Sequence, residues 1–202
     1  MLRLIIIIFI ALILRLTVAY YTHHTYFADE VMQNLEQGFR LTFGYGLIPW
    51  EYQSNVRHWS LPGLIGMILW ILQHLNLGTP EYYIFICKLA FVIISLSLPI
   101  NLYYLSKQIF NQKKLAFLTA LIAGLWYEFI YFSPRTFSEV FATYLILTSL
   151  AVFLSVAKLK FNLNILIFVA NFILAYASYI RPQYIPVIPA ILFAARYYQS
   201  PK

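Results

Sequence analysis

Apolar runs long enough to cross a lipid bilayer recur along the whole chain. A membrane-spanning helix needs about 20 mostly apolar residues, and six segments meet or approach that length, followed by a shorter seventh that contains two prolines. These segments are Leu2–Tyr21, Ser60–Leu77, Tyr82–Leu105, Leu115–Phe132, Phe137–Ala157, Phe161–Tyr179 and the shorter Tyr184–Tyr198. The pattern predicts an all-α, polytopic membrane protein with about six to seven transmembrane helices.

Composition supports the same class. The chain of 202 residues is 62% hydrophobic and 10% charged, whereas a soluble domain is roughly 45–50% apolar and about 25% charged. A globule of this size cannot bury so much apolar surface, which excludes a soluble enzyme and a disordered chain. The net charge of +7 comes from basic residues scattered between the apolar runs. Such residues act as anchors beside anionic lipid rather than as a nucleic-acid surface.

The segment 22–59 differs from the rest of this single transmembrane domain, 1–202. It follows the first transmembrane helix, 2–21, precedes the remaining membrane helices, 60–198, and holds four of the seven acidic residues and three of the four histidines. A loop longer than about 12–15 residues is usually functional or disordered, and its many aromatic residues argue against disorder. Arg3 places the N-terminus in the cytoplasm by the positive-inside rule. The segment is therefore predicted to be an extracytoplasmic, catalytic-type loop.

The topology after residue 60 has two solutions. If every span crosses, the later loop lysines fall outside, against the positive-inside rule. If Ser60–Leu77 is re-entrant instead, those lysines move inside, and Arg135 and Arg181 join the side of the first loop. The sequence leaves both solutions open. The lysines concerned are Lys107, Lys113, Lys114, Lys158 and Lys160.

Ala28–Leu41 is predicted to form an amphipathic helix in the membrane interface. Four polar residues share one face at i, i+4, i+7 and i+11, namely Asp29, Gln33, Glu36 and Arg40. This face is either simply solvated or carries a catalytic base, Asp29 or Glu30. Partial desolvation by neighbouring aromatic rings makes a carboxylate a better proton acceptor. Since adjacent residues on a helix point about 100° apart, the two acids are expected to have different roles.

A second polar cluster follows in the same loop, as Trp50-Glu51-Tyr52 and then Arg57-His58-Trp59. A guanidinium binds phosphate oxygens in bidentate fashion, so Arg57 and His58 could hold a phosphate. They are equally consistent with an interfacial anchor beside the start of the next helix.

These residues resemble the first-loop signature of the GT-C superfamily, and most closely that of glycosyltransferase family 22, the polyprenyl- or dolichyl-phosphate-mannose-dependent mannosyltransferases. Two later pieces, Arg135-Thr136-Phe137-Ser138-Glu139 and Tyr179-Ile180-Arg181-Pro182, are also similar to elements of that family, and Arg15 falls where relatives often carry an arginine. The first-loop pieces are Asp29-Glu30, Gln33, Glu36, Gly44-x-Gly46, Trp50-Glu51-Tyr52 and Arg57-x-Trp59-x-x-Pro62-Gly63.

The chain departs from the family pattern at three points. Phe27-Ala28 replaces His-Pro before the acid pair, Arg57-His58 replaces Arg-Ser, and Glu139 stands where the family has Asn. Members of the family are also much longer, so the resemblance covers only their N-terminal part, as in a truncated GT-C-like fold.

The resemblance implies an inverting transfer of a sugar, most often mannose, from a polyprenyl or dolichyl phosphate to a glycan or lipid acceptor. Asp29 would be the general base and Glu30 its positioning or pairing partner. Developing charge on the phosphate would be met by cations, and the tryptophans would contact the sugar ring or prenyl chain. The substrate-binding residues implied in this way are Gln33, Glu36, Trp50, Glu51, Arg57, His58, Trp59, Arg135 and Arg181.

No cofactor or metal is expected beyond the lipid-phosphate-linked donor, because a lipid phosphate is already a good leaving group. His23-His24 has no carboxylate or third histidine at ligand spacing. Two other functions stay open: an inactive N-terminal fragment or assembly partner, with a second chain supplying the missing helices, and a small transporter subunit. The expected location is a bacterial inner membrane or the endoplasmic reticulum membrane, as a multi-pass protein.

Overall fold

The computed structural model describes residues 2–22, 27–77, 79–155 and 163–199; these residues form helices joined by turns and loops, and no strand occurs among them. This confirms the predicted all-α class. The α-helices are α1 (Leu2–Tyr21), α2 (Glu36–Phe43), α3 (Trp50–Gln53), α4 (Ser60–His74), α5 (Pro80–Ser95), α6 (Ser97–Phe110), α7 (Lys113–Leu125), α8 (Tyr127–Tyr131), α9 (Ser138–Ser155), α10 (Leu163–Ile180) and α11 (Val187–Gln199). A π-helix, π1 (Glu30–Leu35), leads into α2, and a 3-10 turn (Pro182–Tyr184) precedes α11.

Two helical stretches among the described residues are long and apolar enough to cross a membrane, α1 and the stretch Tyr82–Phe110 that joins α5 to α6. Four other apolar helices are shorter, with 10–17 residues each: Ser60–His74, Ser138–Leu154, Asn164–Ile180 and Pro182–Phe193. The larger number of six to seven spans therefore stays a prediction. His23, His24, Lys158 and Lys160, together with the boundary between the predicted spans Phe137–Ala157 and Phe161–Tyr179, lie outside the described residues.

Local sequence explains several helix ends. Pro80 is the first residue of α5, where its missing N–H costs nothing. Asn111 closes α6 and Gly44 closes α2, both in the left-handed conformation, with φ of 52° and 81°. The predicted span Leu115–Phe132 is divided at Trp126, whose ψ of 130° is extended. The last turn of a helix leaves carbonyls without helical donors, and the buried Arg15 donates from Nη2 to one of these, Ala123 O, at 3.2 Å.

The amphipathic segment packs closely on α4. Thr42 Oγ1 donates to Gly66 O at 2.9 Å, and a Cβ on Gly38 would lie only 2.5 Å from Ile65 Cγ2. Leu35 and Phe39 pack on the apolar cluster that includes Ile65. The helix predicted over Ala28–Leu41 therefore forms, extends to Phe43, and is held against α4 by the absence of a side chain at Gly38.

Long-range contacts show how α1 is oriented relative to the stretch Tyr82–Phe110. At one end, Lys88 Nζ of α5 donates to the carbonyl of Thr22, just beyond α1. At the other end, Leu4 near the start of α1 packs with Tyr103 of α6 and Ala116 of α7. The stretch Tyr82–Phe110 thus runs antiparallel to α1, and its first residues lie beside the first loop.

Candidate active site

The two adjacent acids, Asp29 and Glu30, occupy opposite environments. Asp29 is exposed, whereas Glu30 is 1% exposed. Glu30 Oε2 lies 3.5 Å from Arg135 Nη1 in an ion pair whose two side chains are each 2% exposed. Arg135 also donates from Nη2 to the Tyr131 hydroxyl at 3.3 Å and lies over that ring, 5.0 Å from its centroid. The buried acid is thus an anchor, and the acid that faces solvent is Asp29.

The π-helix presents Glu30 and Asn34 to the same partner, the backbone at Thr136. Thr136 N donates to Glu30 Oε1 at 3.2 Å, and Asn34 Nδ2 donates to Thr136 O at 2.8 Å. The bond from Glu36 N to Val31 O, five residues back, is the hydrogen bond of a π-turn. Such turns occur often at functional sites. Glu30, Asn34, Arg135 and Thr136 therefore fix the first loop to the segment before α9.

Asp29 lies at the wall of an open cavity of about 430 Å³. Three phenylalanine rings form one side, with Phe137 5.9 Å from Phe27 and 6.2 Å from Phe132 between ring centroids. The polar part of the wall contains an ion pair between Arg181 Nη2 and Glu139 Oε1. The described lining residues are Phe27, Asp29, Phe132, Phe137, Glu139, Val140 and Arg181. An exposed carboxylate, a guanidinium and an aromatic wall thus meet in one space.

Glu36 shapes the loop that follows α2. Its Oε1 accepts the backbone N–H of Leu47 at 2.9 Å. Gly46 has φ of +136°, and a Cβ at that position would lie 2.6 Å from the same carboxylate oxygen. Glycine is required here both for the backbone conformation and for the close approach of Glu36. Glu36, predicted to bind substrate, holds the Gly44-x-Gly46 turn in this structure.

The second polar cluster, which contains α3, forms its own set of contacts. Arg57 Nη2 pairs with Glu51 Oε1 at 2.9 Å. The Tyr52 ring lies 4.6 Å from that of Trp59 and its hydroxyl donates to Gln33 O at 2.6 Å. Burial is the main cause that raises the pKa of Tyr52 to about 12. Trp50, Arg57 and Trp59 do not belong to the described lining of the Asp29 cavity, and their substrate roles stay predictions.

His58 of the same cluster lies beside Tyr179, two residues before Arg181. Its Nδ1 lies 2.8 Å from Ser60 Oγ, and its ring centroid lies 6.0 Å from that of Tyr179. Burial, followed by the positive charges of Arg181 and Arg57, lowers the pKa of His58 to about 4. The imidazole is therefore neutral at physiological pH. The role of His58 in substrate binding stays a prediction.

No group of three or more histidine, cysteine or acidic side chains placed to hold a metal occurs in the described parts of the chain.

Comparison with known sequences identifies the family. A model of the Alg9-like mannosyltransferase family matches residues 6–199. The chain belongs to the Alg9-like mannosyltransferase family. The match covers every site residue named above, from Asp29 to Arg181.

Similar family members include GPI alpha-1,2-mannosyltransferase 3 of three mammals. The Mus musculus protein is 28% identical over 94% of this chain and 34% of its own length. The Bos taurus protein is 28% identical over 88% of this chain and 32% of its own length, and the Homo sapiens protein is 26% identical over 89% and 32%. The chain thus spans about a third of the length of these relatives. No solved structure matches it significantly.

Two contacts of the candidate site in this Alg9-like family member were not foreseen from the sequence. Asn34 lies four residues after Glu30, so helical spacing places them on one face, and this signal could have identified Asn34. The pairing of Glu139 with Arg181 joins residues on α9 and after α10. No local periodicity reports such a contact, and Glu139 was noted only as a departure from the family pattern.

Proposed function

We propose that this chain carries the acceptor-activating site of a mannosyltransferase that moves mannose from a polyprenyl-phosphate donor to a glycan or lipid hydroxyl, with inversion at the anomeric carbon. The observation that carries the proposal is that Asp29 and Arg181 line one cavity. One group accepts a proton there and the other stabilises negative charge.

In this reaction the Asp29 carboxylate takes the proton from the acceptor hydroxyl as its oxygen attacks the anomeric carbon. The bond between that carbon and the phosphate oxygen breaks, and the lipid phosphate leaves with the electron pair. An inverting displacement needs a single base on the attacking face. Arg181 stabilises the leaving phosphate, because a positively charged donor in a partly desolvated site strongly stabilises developing negative charge.

The surrounding residues support these roles without touching the reacting atoms. The buried Glu30–Arg135 pair and the Asn34–Thr136 bond fix the start of π1 relative to α9. Asp29 immediately precedes π1 and Glu139 is on α9, so the same contacts fix the width of the cavity. Preorganisation of this kind is what a positioned base requires.

The proposal places the first loop on the extracytoplasmic side, which agrees with a topology in which α4 does not cross the membrane. The first loop contacts α4 through Thr42, α5 through Thr22 and Lys88, and the segment before α9 through Arg135. Lys114 lines a cavity with Arg3, near the start of α1. This arrangement groups Arg3 and Lys114 on the cytoplasmic side, as the positive-inside rule favours.

The relatives indicate which acceptor to test first. The three mammalian proteins are named as GPI alpha-1,2-mannosyltransferases. We therefore propose a glycosylphosphatidylinositol-type glycolipid as the acceptor class and an α-1,2 bond as the product. Because the chain spans about a third of these relatives, the active enzyme includes further helices, from the same polypeptide or from a second chain.

The test uses membranes that contain the full polypeptide, labelled mannosyl-phosphoryl-polyprenol and a glycolipid acceptor. The wild type is expected to form labelled product and Asp29→Asn to form none at equal expression. Glu128→Gln, which removes an exposed acid on α8, serves as the matched control and is expected to retain transfer. Retained transfer in Asp29→Asn would remove Asp29 from the mechanism. Absence of transfer by the wild type would favour an assembly partner instead.

A further inference from the structure

Two arginine–glutamate pairs near Asp29, Arg135–Glu30 and Arg181–Glu139, differ in how exposed their side chains are. In Arg135–Glu30 both side chains are 2% exposed. In Arg181–Glu139 the arginine side chain is 13% exposed and the glutamate side chain 43%. One pair is therefore locked in the protein interior, whereas the other joins a largely buried cation to an acid that reaches water.

This asymmetry determines which partner of a pair can leave. A buried charge that loses its partner is costly, while an exposed carboxylate regains hydration when it is released. Arg181 therefore needs an anion beside it, and Glu139 can exchange that place for water at low cost. Arg181 also has a spare donor, because its Nε is buried and has no hydrogen-bond partner among the described residues.

The charges of the cavity require such an exchange before a phosphate can bind. The described lining contains two carboxylates, Asp29 and Glu139, and one guanidinium, Arg181. A phosphate that enters this space is repelled by both acids while Glu139 remains on Arg181. Movement of Glu139 into water removes one repulsion and frees Arg181 Nη2, so that Nε and Nη2 present the edge of the guanidinium that binds phosphate in bidentate fashion.

We propose that Arg181–Glu139 is an exchangeable anion site: the phosphate of a prenyl-phosphate lipid displaces Glu139 from Arg181, and Glu139 returns when the lipid phosphate leaves. This inference rests on the proposed function, since it assigns the phosphate subsite of the same cavity. Glu139 is a positioning residue that neutralises Arg181 while the cavity is empty and competes with the ligand for it.

The test measures binding rather than transfer. The chain is reconstituted in phosphatidylcholine nanodiscs and titrated with farnesyl phosphate, with farnesol and inorganic phosphate as the comparison ligands. We expect Glu139→Gln to bind farnesyl phosphate about tenfold more tightly than the wild type, because its competitor is neutral, a change equal to about 1.4 kcal/mol. Arg181→Gln is expected to bind at least tenfold more weakly. Glu139→Asp is expected to restore wild-type affinity, and the control Glu128→Gln to leave it unchanged.

Several outcomes would overturn the exchange. Unchanged or weaker binding in Glu139→Gln would show that Glu139 does not compete, and unchanged binding in Arg181→Gln would place the phosphate elsewhere. Inorganic phosphate that binds as tightly as farnesyl phosphate would assign the site to free phosphate. A purely structural Glu139 would lower the unfolding midpoint and weaken binding together. Asp29→Asn is expected to bind farnesyl phosphate without transferring mannose, so a failed exchange and a failed transfer mechanism remain distinguishable.

Discussion

Replacement of Glu30 by glutamine should destabilise the protein far more than replacement of its neighbour Asp29 by asparagine. Glu30→Gln removes the negative charge that lies 3.5 Å from Arg135 Nη1 where both side chains are 2% exposed. Loss of one member of a buried ion pair costs about 3–5 kcal/mol. Asp29 is exposed, so Asp29→Asn should cost less than about 0.5 kcal/mol.

The magnitude can be refined from the remaining contacts of Glu30. Thr136 N donates to Glu30 Oε1 at 3.2 Å, and a glutamine oxygen can still accept that bond. The lower half of the range, about 3 kcal/mol, is therefore expected for Glu30→Gln. Glu30→Ala also removes the acceptor of a buried N–H, which adds about 1–3 kcal/mol.

The assay is reversible chemical unfolding in detergent micelles, followed by circular dichroism. Glu51→Gln provides the comparison, because the Arg57–Glu51 pair is partly exposed, with side chains at 19% and 17%, and should cost less than about 1 kcal/mol. The double variant Glu30→Gln/Arg135→Met should regain part of the loss, since apolar replacements of buried pairs are often tolerated. Unfolding of Glu30→Gln at the same denaturant concentration as Asp29→Asn would refute a stabilising role for the buried Glu30–Arg135 pair.

Three further predictions use other parts of the structure. Gly38→Ala should destabilise the protein by about 1–3 kcal/mol because its Cβ would overlap α4, whereas Gly63→Ala, with nothing within 4 Å of its Cβ, should be neutral or stabilising in the same unfolding assay. Folding lowers the pKa of His58 from its reference value of 6.5 to about 4, so between these pH values the unfolded chain binds more protons than the folded one. The wild type should therefore lose about 1–3 kcal/mol of stability as pH falls from about 6.5 to 4. His58→Gln should lose less, and equal pH profiles of the two proteins would contradict this. Ser54→Cys should react with an impermeant maleimide from the extracytoplasmic side and Gln112→Cys only from the cytoplasmic side; labelling of both from one side would contradict the proposed topology.

The sequence predicted the helical class and the amphipathic helix that begins at Ala28 because both depend on local patterns. Apolar runs of helical length predict helices, and i, i+4, i+7 spacing predicts the polar face that begins at Asp29. The π-turn at Glu30–Leu35 was not predictable from that spacing. Its side chains meet a distant partner, the backbone of Thr136, which donates to Glu30 and accepts from Asn34.

The partners of the arginines could not be assigned for a similar reason. Arg57 was considered for phosphate binding because a guanidinium binds phosphate oxygens in bidentate fashion, and Arg135 and Arg181 were implied as binding residues with it. The structure places Arg181 in the Asp29 cavity and pairs Arg57 with Glu51. Residue type indicates that an arginine needs an anion, but several carboxylates are available along the chain. Only the helix packing decides which one is near.

The polar contacts at the first-loop end give this apolar chain much of its structural specificity. In a membrane, apolar side chains contact lipid as favourably as they contact other helices, so apolar packing discriminates weakly between arrangements. Glu30–Arg135, Asn34–Thr136 and Lys88–Thr22 each join distant segments and each meet at the same end. Loss of one of these contacts should therefore leave the helices formed while the cavity loses its shape. Such variants should keep the helical circular dichroism of the wild type and lose affinity for farnesyl phosphate, which separates the assembly of the site from the formation of the helices.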